Sequence, residues 1–176
     1  MLATELLLTA LERNWEMIDD ALDGMDDAIL ARIPAGQCNS IAWILWHLNR
    51  VMDSFVTTRL RDLPQIWVAE EWAQRFGMTP DPDDRGVGWT AEQVAAWEPP
   101  VREVLVGYYQ AVRLEAREFL AAVTEQDLAR LVEFPGGTEH RTSASALGRM
   151  TWDIVAHGGQ IAFLRGFYKG MGWHRS

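Results

Sequence analysis

Apolar positions recur along this chain in alternating steps of three and four, the spacing of an α-helix that buries one face. Leu8, Leu11, Trp15, Ile18, Leu22 and Met25 draw the first such stripe, with Gly24 framing its end. The stretch through Pro34, Gly36 and Asn39 then reads as a connection holding at most a short helical piece. Asn39 or Ser40 is placed to cap a second helix, striped by Ile41, Ile44, Leu48, Val51 and Phe55 and ending before Pro64. Pro100 opens a third, with Leu105, Tyr108, Val112, Ala116, Phe119 and Val123 on one face, and Thr124 with Asp127 suggests a short helix after it. Beyond the turn-rich Pro135-Gly136-Gly137, the fourth helix carries the most regular stripe: Leu147, Met150, Ile154, His157, Ile161, Leu164 and Tyr168. One member of that stripe is a histidine.

Residues 64 to 100 break the pattern. Pro64, Pro80, Pro82, Pro99 and Pro100, with Gly77, Gly86 and Gly88, exclude one long helix, although Thr90 and Gln93 have capping-box spacing for a short one ending near Trp97. The segment also holds Trp67, Trp72, Phe76 and Trp89, and a solvated linker gains nothing from so many rings. It is expected to fold over one end of the helices. No β pattern of useful length, internal repeat or low-complexity tract is visible, so the expected fold is all-α, a single four-helix bundle over residues 1–176.

Composition narrows the chemistry. A chain of 176 residues with 48% hydrophobic content can bury a core without disulfides or a structural metal, so any metal is expected to serve chemistry. The net charge of -9, from 16 Lys plus Arg against 25 Asp plus Glu, repels nucleic-acid phosphates and argues against DNA or RNA as partners. The amino terminus has no secretory pattern and no run reaches the roughly 18 apolar residues that span a bilayer, which points to a cytoplasmic protein without a membrane partner. Cys38 is the only cysteine, so a metal site within one chain must draw on His, Asp or Glu.

His157 stands in a slot the repeat would otherwise give to Leu or Ile, and an unpartnered buried imidazole costs about 1–3 kcal/mol. Asp153 lies one turn earlier on the same face, about 6 Å away, and Gln160 lies three residues on, in reach as a hydrogen-bond partner. His47 borders the apolar stripe of the second helix, where a side chain can point along a helix seam. Two imidazoles and a carboxylate make a three-donor set with positions left open for water or substrate. Trp43, Trp46, Trp67 and Trp72 are expected to pack, with some of them lining the site. His140, His174 and Cys38 rank low as ligands or nucleophiles.

The segment from Asn39 to Leu48 followed by Asp53, and the segment from His157 through Ile161 with Leu164, Arg165 and Gly166, resemble the second and final helices of the DinB-like superfamily. The similarity extends through Ile66-Trp67, Trp72 and Arg75-Phe76-Gly77. It implies a bundle with up-down-down-up connectivity, a long crossover between the second and third helices, and often a homodimer. It also implies a divalent metal, zinc or nickel first and iron or manganese next, held by His47, Asp153 and His157. Many members carry histidine where this chain has Asp153.

The function implied is a metal-dependent transferase acting on a small molecule with a low-molecular-weight thiol such as bacillithiol or mycothiol. A metal-assisted hydrolase is the first alternative, although no dedicated general base stands out. A non-enzymatic, stress-related bundle that binds a small molecule is the second, and a non-haem iron oxygenase ranks last.

Overall fold

In a computed structural model of the chain, residues 3–34, 38–133 and 140–174 are described. The four longest helices among them are α1 (Ala3–Leu22), α3 (Ile41–Asp53), α7 (Arg102–Ala122) and α9 (Ser143–Lys169). Each coincides with one of the stripes, and Leu11, Trp15, Ile18, Leu48, Tyr108, Val112, Leu147, Met150 and Ile154 are all nearly inaccessible to solvent. Short helices fill the connections: α2 (Asp27–Ala31) after α1, then α4 (Ile66–Ala69), α5 (Trp72–Arg75) and α6 (Ala91–Ala96) in the crossover, and α8 (Glu125–Ala129) after α7. Both anticipated capping boxes are present, Thr90 with Gln93 and Thr124 with Asp127.

Ser40 is the residue that caps α3, its Oγ accepting from the Trp43 N–H at 3.1 Å. After Asp53 the helix widens into a π-helical turn, Ser54–Arg59. The third long helix starts at Arg102 rather than at Pro100. Its first N–H donates to Asp27 Oδ1 at 2.7 Å, so a carboxylate from α2 satisfies an end that Val101 cannot cap.

Two short strands accompany the helices of this mostly helical fold. β1 (Leu131–Glu133) and β2 (His140–Thr142) pair antiparallel, with Val132 opposite Arg141. Three residues per strand is too short for alternation to register in the sequence. The Pro135-Gly136-Gly137 turn lies outside the described residues.

α1 packs against α9 and α7, and α3 packs against α7 and α9. Along these seams Asn14 meets Ile154, Arg117 pairs with Glu12, Arg113 pairs with Asp19, and Arg61 pairs with Glu115. Gly158 lets α1 and α9 approach: a Cβ there would lie 2.1 Å from Asn14 Oδ1. Gly158→Ala is therefore expected to lower stability by about 1–3 kcal/mol, read as a shift in the urea midpoint without a change in slope.

α3 does not have the single buried face its stripe implies. Every residue from Ile41 to Asp53 is buried, because α7 and α9 cover its apolar side and the crossover covers its polar side. Arg50 and Asp53, neither with measurable side-chain exposure, tie that cover down. The Arg50 guanidinium donates to the carbonyls of Asp81, Pro82 and Asp84 and to Gln65 Oε1, and lies 4.5 Å over the Trp67 ring. Asp53 accepts from the N–H groups of Ile66 and Trp67, at 3.1 and 3.0 Å, and from the Tyr108 hydroxyl at 2.9 Å. Burial pushes the Asp53 carboxyl up from its ordinary pKa, while these donors and the Arg50 charge oppose the shift. No helix among the described residues is long and apolar enough to cross a membrane.

Candidate metal centre

His47 from α3 and Asp153 and His157 from α9 come together, with one donor atom from each lying within 4.8 Å of the others. The His47 and His157 rings meet edge to face, their centroids 4.8 Å apart. Because Ser40 fixes where α3 begins, it also fixes the helical phase that turns His47 toward α9.

Each imidazole is oriented by a second bond. The His47 ring stacks flat on Trp43, with centroids 4.9 Å apart and an interplanar angle of 8°. Its Nδ1 is bonded to the carbonyl oxygen of Arg85, which only accepts, so Nδ1 carries the proton and Nε2 keeps its lone pair. Burial is the main cause that pushes the His47 pKa below its ordinary value, which favours the neutral form a metal ligand requires. His157 Nδ1 lies 2.9 Å from Gln160 Oε1, and the same logic leaves its Nε2 to face Asp153 Oδ2 at 3.8 Å.

The donor set fits a divalent cation on its own chemistry. Asp153 Oδ2 is shielded from solvent yet has no hydrogen-bond partner, an arrangement that is costly for a carboxylate oxygen left alone. Two atoms each about 2.1 Å from one ion lie roughly 3–4 Å apart, so the 3.8 Å between His157 Nε2 and Asp153 Oδ2 is compatible with shared ligation. Gln160→Ala is expected to weaken metal binding about 10–100-fold, measured by competition with a chromogenic chelator. Gln160 is exposed, so the metal-free melting temperature should stay put.

His157 is less buried than its place in the stripe suggested. Its side chain is 18% exposed, and that of Asp153, which borders a cavity of about 160 Å³, is 24% exposed. His47, Val51, Phe55, Arg85, Val87, Arg149, Met150 and Asp153 line that cavity. The crossover thus supplies Arg85 and Val87 to the walls, but not its tryptophans. Trp43 reaches the centre through its stack on His47. Trp46 packs on Trp89 and Trp97, Trp67 on Phe76 and Tyr108, and Trp72 on Tyr108.

Gly86 allows the cover to close on these rings. It has φ +76°, and a Cβ there would come within 2.6 Å of Trp43 and 2.8 Å of Trp46. His140 is exposed on β2, His174 bonds to Asp20, and Cys38 is exposed. None of the three joins the centre.

Sequence reasoning left out Arg50, Gln65 and the carbonyl of Arg85. Arg50 gives the one available signal, a charged residue three positions before Asp53 in a helix whose neighbours are nearly all apolar. A backbone carbonyl leaves no trace in residue type.

The chain belongs to the DinB superfamily, whose family model matches residues 10–161. Among solved structures it is similar to a conserved protein from Enterococcus faecalis, with a TM-score of 0.84 and 24% identity over 97% of this chain and 99% of that one. That likeness establishes a shared fold. No curated protein matches this chain.

Proposed function

We propose that this DinB-superfamily protein is a divalent-metal-dependent transferase that uses a low-molecular-weight thiol. The observation that carries the reading is the convergence of His47, Asp153 and His157, with one donor atom from each within 4.8 Å of the others and Asp153 Oδ2 without a hydrogen-bond partner, beside a cavity that His47 and Asp153 line. Zinc or nickel suits two imidazoles and a carboxylate, with iron or manganese as alternatives. A cation bound there supplies Lewis acidity, which lowers the pKa of a thiol reaching an open position.

The chain's own residues prepare for that chemistry. The Arg85 carbonyl and Gln160 hold the two imidazoles in the tautomer that presents Nε2. Val51, Phe55, Val87 and Met150 give the cavity apolar walls that limit water beside a reacting sulfur.

The same proposal includes the finer architecture, one four-helix-bundle domain with up-down-down-up connectivity. Its support is the seam pairing. Glu12 with Arg117 and Asp19 with Arg113 run antiparallel, as do His47 with His157 and Val51 with Met150. Asn14 beside Ile154 and His174 beside Asp20 run parallel, as do Asp53 beside Tyr108 and Arg61 beside Glu115.

A homodimer belongs to the proposal too, supported by the exposed Trp152, Val155, Phe163 and Phe167 on α9. A cytoplasmic setting, where small thiols stay reduced, completes it.

The test is turnover of an electrophilic aryl halide by zinc- or nickel-loaded protein with a panel of small thiols. Thiol-dependent, chelator-sensitive turnover is expected. Ester or amide hydrolysis without thiol dependence favours a hydrolase, and no metal-dependent turnover of either kind overturns the proposal.

A further inference from the structure

We infer that Asp84 is a positioning residue for the metal centre: its carboxylate fixes the orientation of the Arg85–Gly86 peptide, and through that peptide the tautomer of His47. The inference deepens the proposed function, and rests on it for its consequence, by naming what keeps this imidazole ready for a cation.

One peptide unit carries both contacts. Its carbonyl oxygen, from Arg85, accepts from His47 Nδ1, and its N–H, from Gly86, donates to Asp84 Oδ1 at 3.1 Å. No cis peptide bond occurs among the described residues, and in a trans peptide the C=O and N–H point in opposite directions. Anchoring the N–H on Asp84 therefore aims the carbonyl at His47. An aspartate that accepts from the N–H two residues on is a common turn device, but here the far side of the same peptide meets an imidazole.

The opposite orientation is open to this backbone. Gly86 has φ +76°, and glycine takes either sign of φ at little steric cost, so the peptide before it can turn over. In the turned peptide the Gly86 N–H faces Nδ1, which can then only accept, and the ring proton moves to Nε2. That tautomer keeps no lone pair on the nitrogen left for a cation.

The cluster itself draws the proton the wrong way. Asp153 and His157 each place a donor atom within 4.8 Å of one on the His47 ring, and Asp153 Oδ2 has no hydrogen-bond partner. Before a cation arrives, such a carboxylate oxygen favours an N–H on the nitrogen beside it. A proton on Nδ1 needs support from outside the cluster, and the Arg85 carbonyl supplies it.

Asp84 is itself well held. Its carbonyl accepts from Arg50 Nε at 3.2 Å, and its Oδ1 also accepts from Trp89 Nε1 at 3.1 Å. Trp89 packs edge-on against Trp43, the ring on which His47 stacks. The Arg85 guanidinium is directed elsewhere, to Ser54 Oγ at 3.4 Å and to Asp83 at 3.8 Å, which leaves Asp84 Oδ1 to two neutral N–H donors. Hydrogen bonds to an ionised acceptor are roughly twice as strong as neutral ones, which suits a peptide that must not turn.

The test reads the tautomer on metal-free protein. Long-range proton–nitrogen spectra of histidine-labelled samples separate protonated ring nitrogens from those with a lone pair, and the His47 signals are assigned by their loss in His47→Gln. Wild type is expected to carry the proton on Nδ1. Asp84→Ala is expected to leave only about a tenth to a third of the population in that form, and so to weaken zinc about three- to tenfold in chelator competition, because affinity scales with the competent fraction.

Asp84→Asn keeps an oxygen for both N–H groups and should hold the wild-type tautomer, with zinc affinity within about twofold. Asp84→Ser, whose hydroxyl accepts more weakly, should fall between the two, and it carries the test if Asp84→Ala opens the cover. Trp89→Phe removes the other donor from Oδ1 and should leave the tautomer unchanged. A proton that stays on Nδ1 in Asp84→Ala and Asp84→Ser overturns the inference even if zinc affinity falls, and so does Asp84→Asn shifting as far as Asp84→Ala. If the tautomer follows Asp84 while wild type binds neither zinc nor nickel, the metal reading fails and the positioning role stands.

Discussion

Arg50→Met destabilises the protein by about 3–5 kcal/mol and loosens the metal centre without touching it. The first effect follows from burial. Arg50 and Asp53 have no measurable side-chain exposure, and removing the cation leaves a buried carboxylate facing only neutral donors. The carbonyls of Asp81, Pro82 and Asp84 lose the fork that holds them, and Trp67 loses the guanidinium over its ring.

The second effect follows from chain order. Arg85, the residue next to Asp84, provides the carbonyl that fixes the His47 tautomer. Releasing residues 81–84 should therefore lower metal affinity about 10–100-fold, the range found when a ligand's orienting partner is removed. Urea unfolding of the metal-free variant measures the first effect, and chelator competition measures the second. A double change, Arg50→Met with Asp53→Leu, should recover part of the stability because no buried charge is left alone, but it should not recover metal affinity. Equal metal affinity in wild type and Arg50→Met would show that the cover does not position His47.

Much of this architecture was legible because helical periodicity is a strong signal. The stripe from Leu147 to Tyr168 gave α9 along most of its length, and the interruption at His157 located the centre. Asp153 and Gln160 followed from spacing on one helix. His47 was harder, since only its place at the edge of a stripe spoke for it.

What stayed hidden depends on long-range contact. α3 reads as half-buried because sequence spacing cannot show that the crossover returns over Asn49, Arg50 and Asp53. What the crossover gives to the cavity was hidden for the same reason. Its tryptophans announced a cover and pack on Trp46, Phe76, Tyr108 and one another, while Arg85 and Val87 from its irregular part reach the cavity. Irregular backbone has no period, so its side chains cannot be assigned a direction from spacing. The β1–β2 pair was missed because its strands are only three residues each.

His47, Asp153 and His157 are proposed to bind one cation together. His157→Ala removes one of two imidazoles from a three-donor set, and the remaining pair has no neutral nitrogen on α9 to replace it. The expected loss is at least about 100-fold in affinity, larger than for any residue acting through another. His47→Ala should do the same, and in addition leave the Arg85 carbonyl without its donor.

The most direct measurement is elemental analysis of protein purified without a metal-affinity tag, incubated with zinc or nickel and passed through gel filtration. Wild type is predicted to retain about one ion per chain, and the His47→Ala and His157→Ala variants less than about a tenth of that. A metal-free wild type, or variants that hold as much metal as wild type, would contradict the account.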